Sequence, residues 1–232
     1  DARATRNPHL QRTRRLTLVR RGVLLLAAGT VYDWVWPGTI LFFYGGYFLV
    51  AAIVFGWRDR WLVTLGGSAV VAASAIRWWA LQRSSTGHDV AWLLYGNAGH
   101  NRSPRDLVLD LAVRGTHPLL PWVAFLCLGI LLGRRLPLAT GSSIQLAFGG
   151  VGAVLLGYGL EALLPVSREL RSTDPFDRAV PYALAASGVA IVAVITISAI
   201  ARRCATSVLA ESLAVTGRTT LTLYVLHGLV FG

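Results

Sequence analysis

The sequence predicts an all-α fold, a polytopic bundle of about seven transmembrane helices with its N-terminus in the cytoplasm. Three observations lead to this prediction. Hydrophobic residues make up 54% of the 232 residues and charged residues only 14%, whereas soluble domains carry roughly 25% charged residues. The apolar residues are concentrated in long runs, as lipid-facing helices require. Arginines border most of these runs, which is typical of the cytoplasmic ends of membrane spans.

Residues 1–21 are polar and rich in arginine, and no apolar core of signal-peptide type precedes the first long run. We therefore interpret them as a cytoplasmic segment rather than a targeting signal. Residues 22–232 are expected to form a single transmembrane domain. The chain contains no methionine, and its last apolar run looks unfinished at Gly232. We therefore expect the natural protein to begin before Asp1 and to continue further.

Seven apolar runs are the predicted membrane spans. They cover residues 22–36, 39–57, 61–81, 118–133, 144–164, 180–201 and 219–232. The first two are short for a span of about 20 residues and are separated only by Pro37-Gly38, so one broken helix is an alternative to two spans. Two spans are favoured, because every turn then obeys the positive-inside rule.

Two longer polar segments are predicted to face outward. Residues 82–116 and 165–179 mix both signs of charge, whereas the predicted inner turns hold mainly arginine. Within the first segment, the sequence from Asp106 to Val113 is amphipathic and is expected to lie along the membrane interface. The sequence thus predicts a multi-pass protein of the plasma membrane.

The charge and cysteine content exclude several classes of partner. All 22 basic residues are arginine, and the net charge is +11. Because these arginines lie at predicted helix ends, we expect the lipid bilayer as partner and no nucleic acid. Cys127 and Cys204 lie on different segments, so we expect no disulfide between them. We also expect no metal site, because no Cys/His spacing fits one. Abundant Ala, Gly, Val and Leu without lysine suggests a GC-rich genome such as that of an actinobacterium.

Ionisable residues within apolar runs cost about 2.5–3.5 kcal/mol each on insertion scales, so each is a candidate site residue. Four lie toward the predicted outer ends of their helices: Asp33, Arg77, His117 and Glu161. We expect them to surround one outward-facing cavity, with structural ion pairs as the alternative. His117 directly precedes Pro118 at the mouth of the fourth predicted span. An imidazole there could act as acid, base or hydrogen-bond donor to a substrate.

The last apolar run carries a second set of polar residues. Thr220, Tyr224 and His227 fall at positions i, i+4 and i+7 and therefore share one helix face. Counted from residue 219, His227 lies near mid-membrane. Lipid offers no hydrogen-bond partner there, so the face is expected to point into the bundle. Substrate binding and a structural hydrogen bond between helices are both compatible with this placement.

Two further patterns have a packing or topological explanation beside a functional one. Tyr44-Gly45-Gly46-Tyr47 is interpreted chiefly as a close-packing motif, because small residues let helices approach closely. Arg58, Arg134 and Arg135, at predicted inner ends, could bind the phosphates of a nucleotide-bearing donor. They could equally serve only to orient the protein in the membrane.

Three stretches, in this order, resemble one family. They are Arg20–Phe48 (RRGVLLLAAGTVYDWVWPGTILFFYGGYF), Gly115–Arg135 (GTHPLLPWVAFLCLGILLGRR) and Thr219–Phe231 (TTLTLYVLHGLVF). The chain is similar in them to the heparan-α-glucosaminide N-acetyltransferase-like membrane acyltransferases and their bacterial relatives. The resemblance implies transfer of an acyl group from acyl-CoA, such as acetyl-CoA, across the membrane. The acceptor would be an extracytoplasmic glycan or lipid of the cell envelope.

The resemblance also implies roles for individual residues. The donor's phosphates would meet Arg58, Arg134 and Arg135, whereas the family's catalytic histidine lies upstream of Asp1, so the catalytic residue is unknown. His227 and His117 lie in matching stretches and are candidates for substrate or donor contact. Tyr224, Arg77 and Glu161 are candidate substrate contacts because of their predicted positions within the spans. A non-catalytic subunit of a membrane complex is one alternative, and a homodimer is compatible with either function. A transporter or flippase is another, although it would predict an internal repeat that we do not find.

Overall fold

The computed structural model describes residues 8–36, 39–95, 103–136, 140–204 and 207–231, and within them it contains helices and no β-strand. The all-α prediction is thus confirmed. The helices are α1 (Pro8–Tyr32), α2 (Leu41–Val54), α3 (Asp59–Ser85), α4 (Ala91–Leu94), α5 (Pro104–Leu109), α6 (Leu119–Arg135), α7 (Thr140–Leu163), α8 (Arg168–Arg171), α9 (Val180–Arg203) and α10 (Val208–Phe231). A π-helical segment, Asp110–Arg114, continues α5. The predicted break at Pro37-Gly38 lies outside the described residues, as do Arg3, Arg6 and Gly232.

Three helices are long and apolar enough to cross a membrane: Asp59–Ser85, Gly141–Leu163 and Val180–Arg203. Only 22%, 11% and 17% of their apolar windows is buried within the protein, so most of this apolar surface requires lipid around it. Pro104–Arg114 and Leu119–Arg135 together would make a fourth span, bent by 56°. The described residues therefore contain three or four candidate spans of a membrane protein, and the predicted seven are not confirmed.

The other predicted spans differ from the observed helices. α1 begins at Pro8, so the described part of the arginine-rich segment, residues 8–21, continues into the first apolar run as one helix. α2 has 14 residues, which at 1.5 Å per residue is about 21 Å and shorter than a hydrocarbon core of about 30 Å. α10 begins at Val208 rather than near Thr219.

The long helices pack mainly as three pairs: α1 with α2, α3 with α6, and α7 with α9. Glycines allow two of these pairs to approach closely. A Cβ atom on Gly45 would lie 2.8 Å from the carbonyl oxygen of Gly22 in α1, and one on Gly150 would lie 3.0 Å from the carbonyl oxygen of Gly188 in α9. The first contact confirms the close-packing interpretation of Gly45.

A buried apolar cluster joins α2, α3 and α6. Its buried members are Val54, Leu62, Ala69, Val123 and Cys127. α6 therefore lies at the centre of the bundle, and its two ends define the two ends of the molecule. At the end that we name the His117 end, α2 begins and α3 finishes. At the opposite end, named the Arg134 end, α2 finishes and α3 begins.

Candidate functional site

A cavity of about 510 Å³ runs along α2 between α1 and α6, and we name it the α2 cavity. Its volume falls within the roughly 300–1,000 Å³ of small-molecule sites. The ten lining residues, none of them charged, are Leu18, Ile40, Tyr44, Tyr47, Phe48, Ala51, His117, Trp122, Phe125 and Leu126. Those from α2 recur every three or four positions, which places them on one helix face. The same spacing is visible in the sequence.

His117 is fixed at the mouth of this cavity by its backbone. The Tyr47 hydroxyl donates to the His117 carbonyl oxygen at 2.6 Å. The imidazole ring lies 6.0 Å from the Phe43 ring and 5.2 Å from the Trp122 ring, between centroids. The ring is therefore held between two aromatic side chains without either one using its nitrogens.

Two buried nitrogens of the α2 cavity have no hydrogen-bond partner among the described residues: Nδ1 of His117 and Nε1 of Trp122. An indole nitrogen only donates, whereas Nδ1 donates or accepts according to the tautomer. Buried polar atoms in native proteins are nearly always paired. These two have almost no exposed surface of their own, so a ligand in the α2 cavity would reach them only after the rings turn toward it. Trp122 was not singled out from the sequence, although residues 122, 125 and 126 share one face of α6.

Arg178, which precedes α9, holds the backbone ahead of His117. Its guanidinium donates to the carbonyl oxygen of Val113 at 2.6 Å and to that of Gly115. Burial, and then the nearby Arg77, lower the pKa of Arg178 to about 10, so the group is charged at neutral pH. Its φ of 57° lies in the left-handed region that residues other than glycine rarely occupy. These contacts connect α9 to the loop that carries His117.

A second arginine organises the segment before that loop. Arg114 donates to Asp110 at 2.6 Å, to Asp106 at 2.5 Å and to the carbonyl oxygen of Trp92 at 2.6 Å. Asp106 also pairs with Ser103 in a capping box at the start of α5. The hydrogen bond from Ser103, and then that from Arg114, lower the pKa of Asp106 to about 2. This amphipathic segment is therefore fixed against the end of α6.

The other candidates near this end lie in networks of their own. Arg77 pairs with Asp177 at 2.9 Å and lines a separate, much smaller cavity. Glu161 accepts a hydrogen bond from Thr173 at 2.6 Å, and Asp33 follows α1 directly. Of the four residues expected around one cavity, His117 lines the α2 cavity, and the other three do not.

Tyr224 and His227 face the connection between α1 and α2. The Tyr224 hydroxyl accepts from the backbone N–H of Ile40 at 3.0 Å, and the rings of Tyr224 and His227 lie 5.6 and 5.4 Å from that of Trp36. Thr220 instead donates to carbonyl oxygens of its own helix. Because α10 begins at Val208, His227 lies about 28 Å along it. It is therefore at the level of Trp36, at the His117 end, rather than halfway along the helix.

The arginines at the opposite end of α6 contact the protein itself. Arg134 donates to Asp59 at 2.7 Å and to the carbonyl oxygens of Phe55 and Trp57 at 2.7 and 2.9 Å. Arg135 donates to Asp59 at 2.9 Å. A phosphate at this end would have to share donors with Asp59 or displace it. Arg58 is exposed at the start of α3.

No protein-family model, no curated protein and no solved structure matches the chain. Within the described part of the chain, no three His, Cys, Asp or Glu side chains are grouped as a metal site. The acyltransferase resemblance thus rests on the three stretches of sequence alone. The α2 cavity is the structural feature that bears on function.

Proposed function

We propose that this protein is a membrane acyltransferase. It would move an acyl group of the acetyl type from cytoplasmic acyl-CoA to an extracytoplasmic glycan or lipid of the cell envelope. The observation that best supports the proposal is His117, which lines an uncharged cavity and whose buried Nδ1 has no partner among the described residues. The reaction class comes from the resemblance of the three stretches.

The arrangement suits the acceptor side of an acyl transfer. Unprotonated Nδ1 of His117 accepts the proton of an acceptor hydroxyl while the oxygen attacks the thioester carbon. The new C–O bond forms, the C–S bond breaks, and the proton passes to the leaving CoA thiolate. The Trp122 N–H donates to a neighbouring acceptor oxygen and orients it. Arg178 acts as a positioning residue, because it holds the backbone before His117.

We further propose seven spans, with the Arg134 end in the cytoplasm. The support is the distribution of charge between the two ends. The Arg134 end carries the arginines of the α1 start and the exposed Arg202 and Arg203 of α9, which is the positive-inside pattern. At the other end, Arg77 and Arg114 are paired with carboxylates. Exposed Cys204 should resist a membrane-impermeant maleimide in intact cells, and a Ser84→Cys variant should react. The reverse pattern would contradict this orientation.

The donor is tested by thermal unfolding of the full-length protein in nanodiscs with increasing acyl-CoA. A saturable rise in the unfolding temperature is expected, because a ligand that prefers the folded state stabilises it. If Arg134 contacts the donor phosphates, Arg134→Ala should raise the half-saturating concentration. Arg203→Ala is the matched control, because Arg203 is the last residue of α9 and also lies at the Arg134 end. A folded protein that shows no shift with any acyl-CoA would contradict the proposed donor.

One observation favours the alternative, a non-catalytic subunit of a membrane complex. Residues 211–223 of α10 are exposed, and His227 rests on Trp36, as a packing residue would. His227→Ala separates the two functions. Loss of transfer at unchanged stability would place His227 in the site, whereas retained transfer with lower stability would assign it to packing.

A further inference from the structure

The α2 cavity extends along the direction of the bundle axis. Its lining on α2 extends from Ile40 to Ala51, which corresponds to about 16 Å at 1.5 Å per residue. α1 packs beside α2 in the opposite direction, since Gly29 contacts Phe42 and Gly22 contacts Leu49. Leu18 is therefore level with Ala51, at the far end from His117.

Polarity changes along this length. The end near His117 holds the two unpartnered nitrogens, Nδ1 of His117 and Nε1 of Trp122. The far end is formed by aliphatic and aromatic side chains, namely Leu18, Phe48 and Ala51. A cavity with hydrogen-bonding groups at one end and an apolar channel behind them is complementary to an amphiphile with one chain.

None of the lining side chains is charged. Arg178 lies within electrostatic range of His117 and Tyr47, but its terminal nitrogens already donate to the carbonyl oxygens of Val113 and Gly115. A charged head group, such as a phosphate, would lose its hydration in the cavity with no charged lining side chain to pair with, which is unfavourable. Once the two rings turn toward the cavity, a hydroxyl-bearing neutral head group can instead accept from the Trp122 N–H and donate to Nδ1 of His117. The lining therefore favours a neutral occupant.

The cavity is also accessible at the depth of the membrane. It runs along α2, an apolar helix of 14 residues, and the Tyr44 side chain at its edge is 44% exposed. A hydrophobic chain can thus enter from the bilayer without crossing water.

We propose that the α2 cavity binds a neutral membrane lipid with one linear chain, the chain lying toward Leu18 and Ala51 and the hydroxyl-bearing head group lying at His117. This inference rests on the proposed function, for which it names the class of acceptor. The acyl group would be delivered to a head-group hydroxyl beside Nδ1 of His117.

The test uses photoreactive alkyl glucosides in nanodiscs that contain the full-length protein. One probe carries a diazirine at the far end of the chain, the other a diazirine beside the sugar. The far-end probe should label peptides that contain Leu18 and Ala51, and the near-sugar probe should label the peptide with Trp122. Exposed α7, with Phe148 75% exposed, reports the background labelling by surrounding lipid.

Two variants sharpen the result. Ala51→Trp fills the far end and should lower far-end labelling about 10-fold, as overpacking of a close site does. Ala75→Trp, the same change at an exposed position of α3, should leave it unchanged. Trp122→Phe removes one hydrogen bond and should weaken binding of the glucoside about 2- to 10-fold.

The outcomes separate this inference from the acyltransferase proposal, because labelling needs no turnover. Cavity labelling equal to that of α7, or insensitive to Ala51→Trp, overturns lipid binding even if the protein transfers acyl groups to soluble glycans. Position-specific labelling in a protein that transfers no acyl group supports lipid binding and overturns the acyltransferase.

Discussion

The polar groups at the two ends of α6 differ in whether they are hydrogen-bonded within the chain. At the Arg134 end, Arg134 and Arg135 both donate to Asp59, and Arg134 also donates to the carbonyl oxygens of Phe55 and Trp57 just after α2. At the His117 end, the ring of His117 and the indole of Trp122 each keep a buried nitrogen without a partner among the described residues. The arginines of one end of α6 are thus bonded within the chain, whereas two ring nitrogens at the other end are not.

Whether a polar group is already hydrogen-bonded within the chain distinguishes structural from functional residues better than residue type does. Arginines are strong candidates for phosphate binding, yet here they act as caps for the end of α2. Histidine in a loop is commonly just exposed, yet here its ring is held by Phe43 and Trp122 on an open cavity. Substitution of His117 should therefore change activity with little effect on stability, whereas substitution of the paired residues at either end should change stability according to their burial.

The largest expected effect is on transfer by His117→Ala. If Nδ1 takes the acceptor proton, the transfer rate should fall about 10²- to 10⁴-fold, the range for loss of a general base. Stability should change little, because Tyr47 bonds the His117 carbonyl oxygen and not its ring. His88→Ala is the control, since His88 is exposed and bonds only near neighbours, Arg83 and Thr86, in the structure's described contacts. Equal rates for both variants would remove His117 from the reaction.

The next effect is on stability, from Arg114→Ala. The side chains of Arg114 and Asp110 are only 4% and 3% exposed, and removing one member of a buried ion pair costs about 3–5 kcal/mol. Arg105→Ala is the control on α5, because Arg105 is exposed and lies over the Trp92 ring. The measurement is the unfolding midpoint in nanodiscs. A loss no greater than that of the control would mean that the pair does not hold this segment.

The membrane helices were predictable from the sequence, whereas the site was only partly so. Hydropathy locates α3, α7 and α9 well, because lipid contact imposes an apolar composition over a full span. Hydropathy does not mark where α1 begins, because the helix continues upstream of the apolar run through arginines to Pro8. The role of Arg178 had no local signal, since its carbonyl partners are 63 and 65 residues away in the chain.

A smaller effect is expected where α10 meets the α1–α2 connection. Tyr224→Phe removes the acceptor of the Ile40 N–H bond, which should cost about 0.5–1.5 kcal/mol locally. Amide exchange near residues 40–44 and 224–228 should accelerate. Tyr158→Phe, at a residue of α7 that is 57% exposed, should leave exchange there unchanged. Exchange that is equally slow in both variants would show that this bond does not hold α10 in place.

The capping box of α5 should resist acid. Since the pKa of folded Asp106 is about 2 against an ordinary 3.8, its stabilising contribution is complete above the ordinary pKa and is lost as pH falls through the folded value. Ser103→Ala, which removes the largest cause of the lowered pKa, should move this loss to higher pH. The fluorescence of Trp92, whose carbonyl oxygen Arg114 contacts, is the readout. A transition at the same pH in both proteins would contradict the assignment to Ser103.

The smallest effect is expected from Asp59→Asn at the Arg134 end. The side chains of this cluster are 31–49% exposed, and exposed ion pairs contribute about 0–1 kcal/mol. Asp177→Asn is the same change at the His117 end, where the pair with Arg77 is 20–23% exposed, and it should destabilise more. High salt should shrink the effect of Asp59→Asn further, because exposed charges are screened. Arg134 would still donate to Phe55 and Trp57, so the cap of α2 survives without the charge. A larger loss from Asp59→Asn than from Asp177→Asn would mean that the Arg134 end depends on its ion pairs rather than on these backbone bonds.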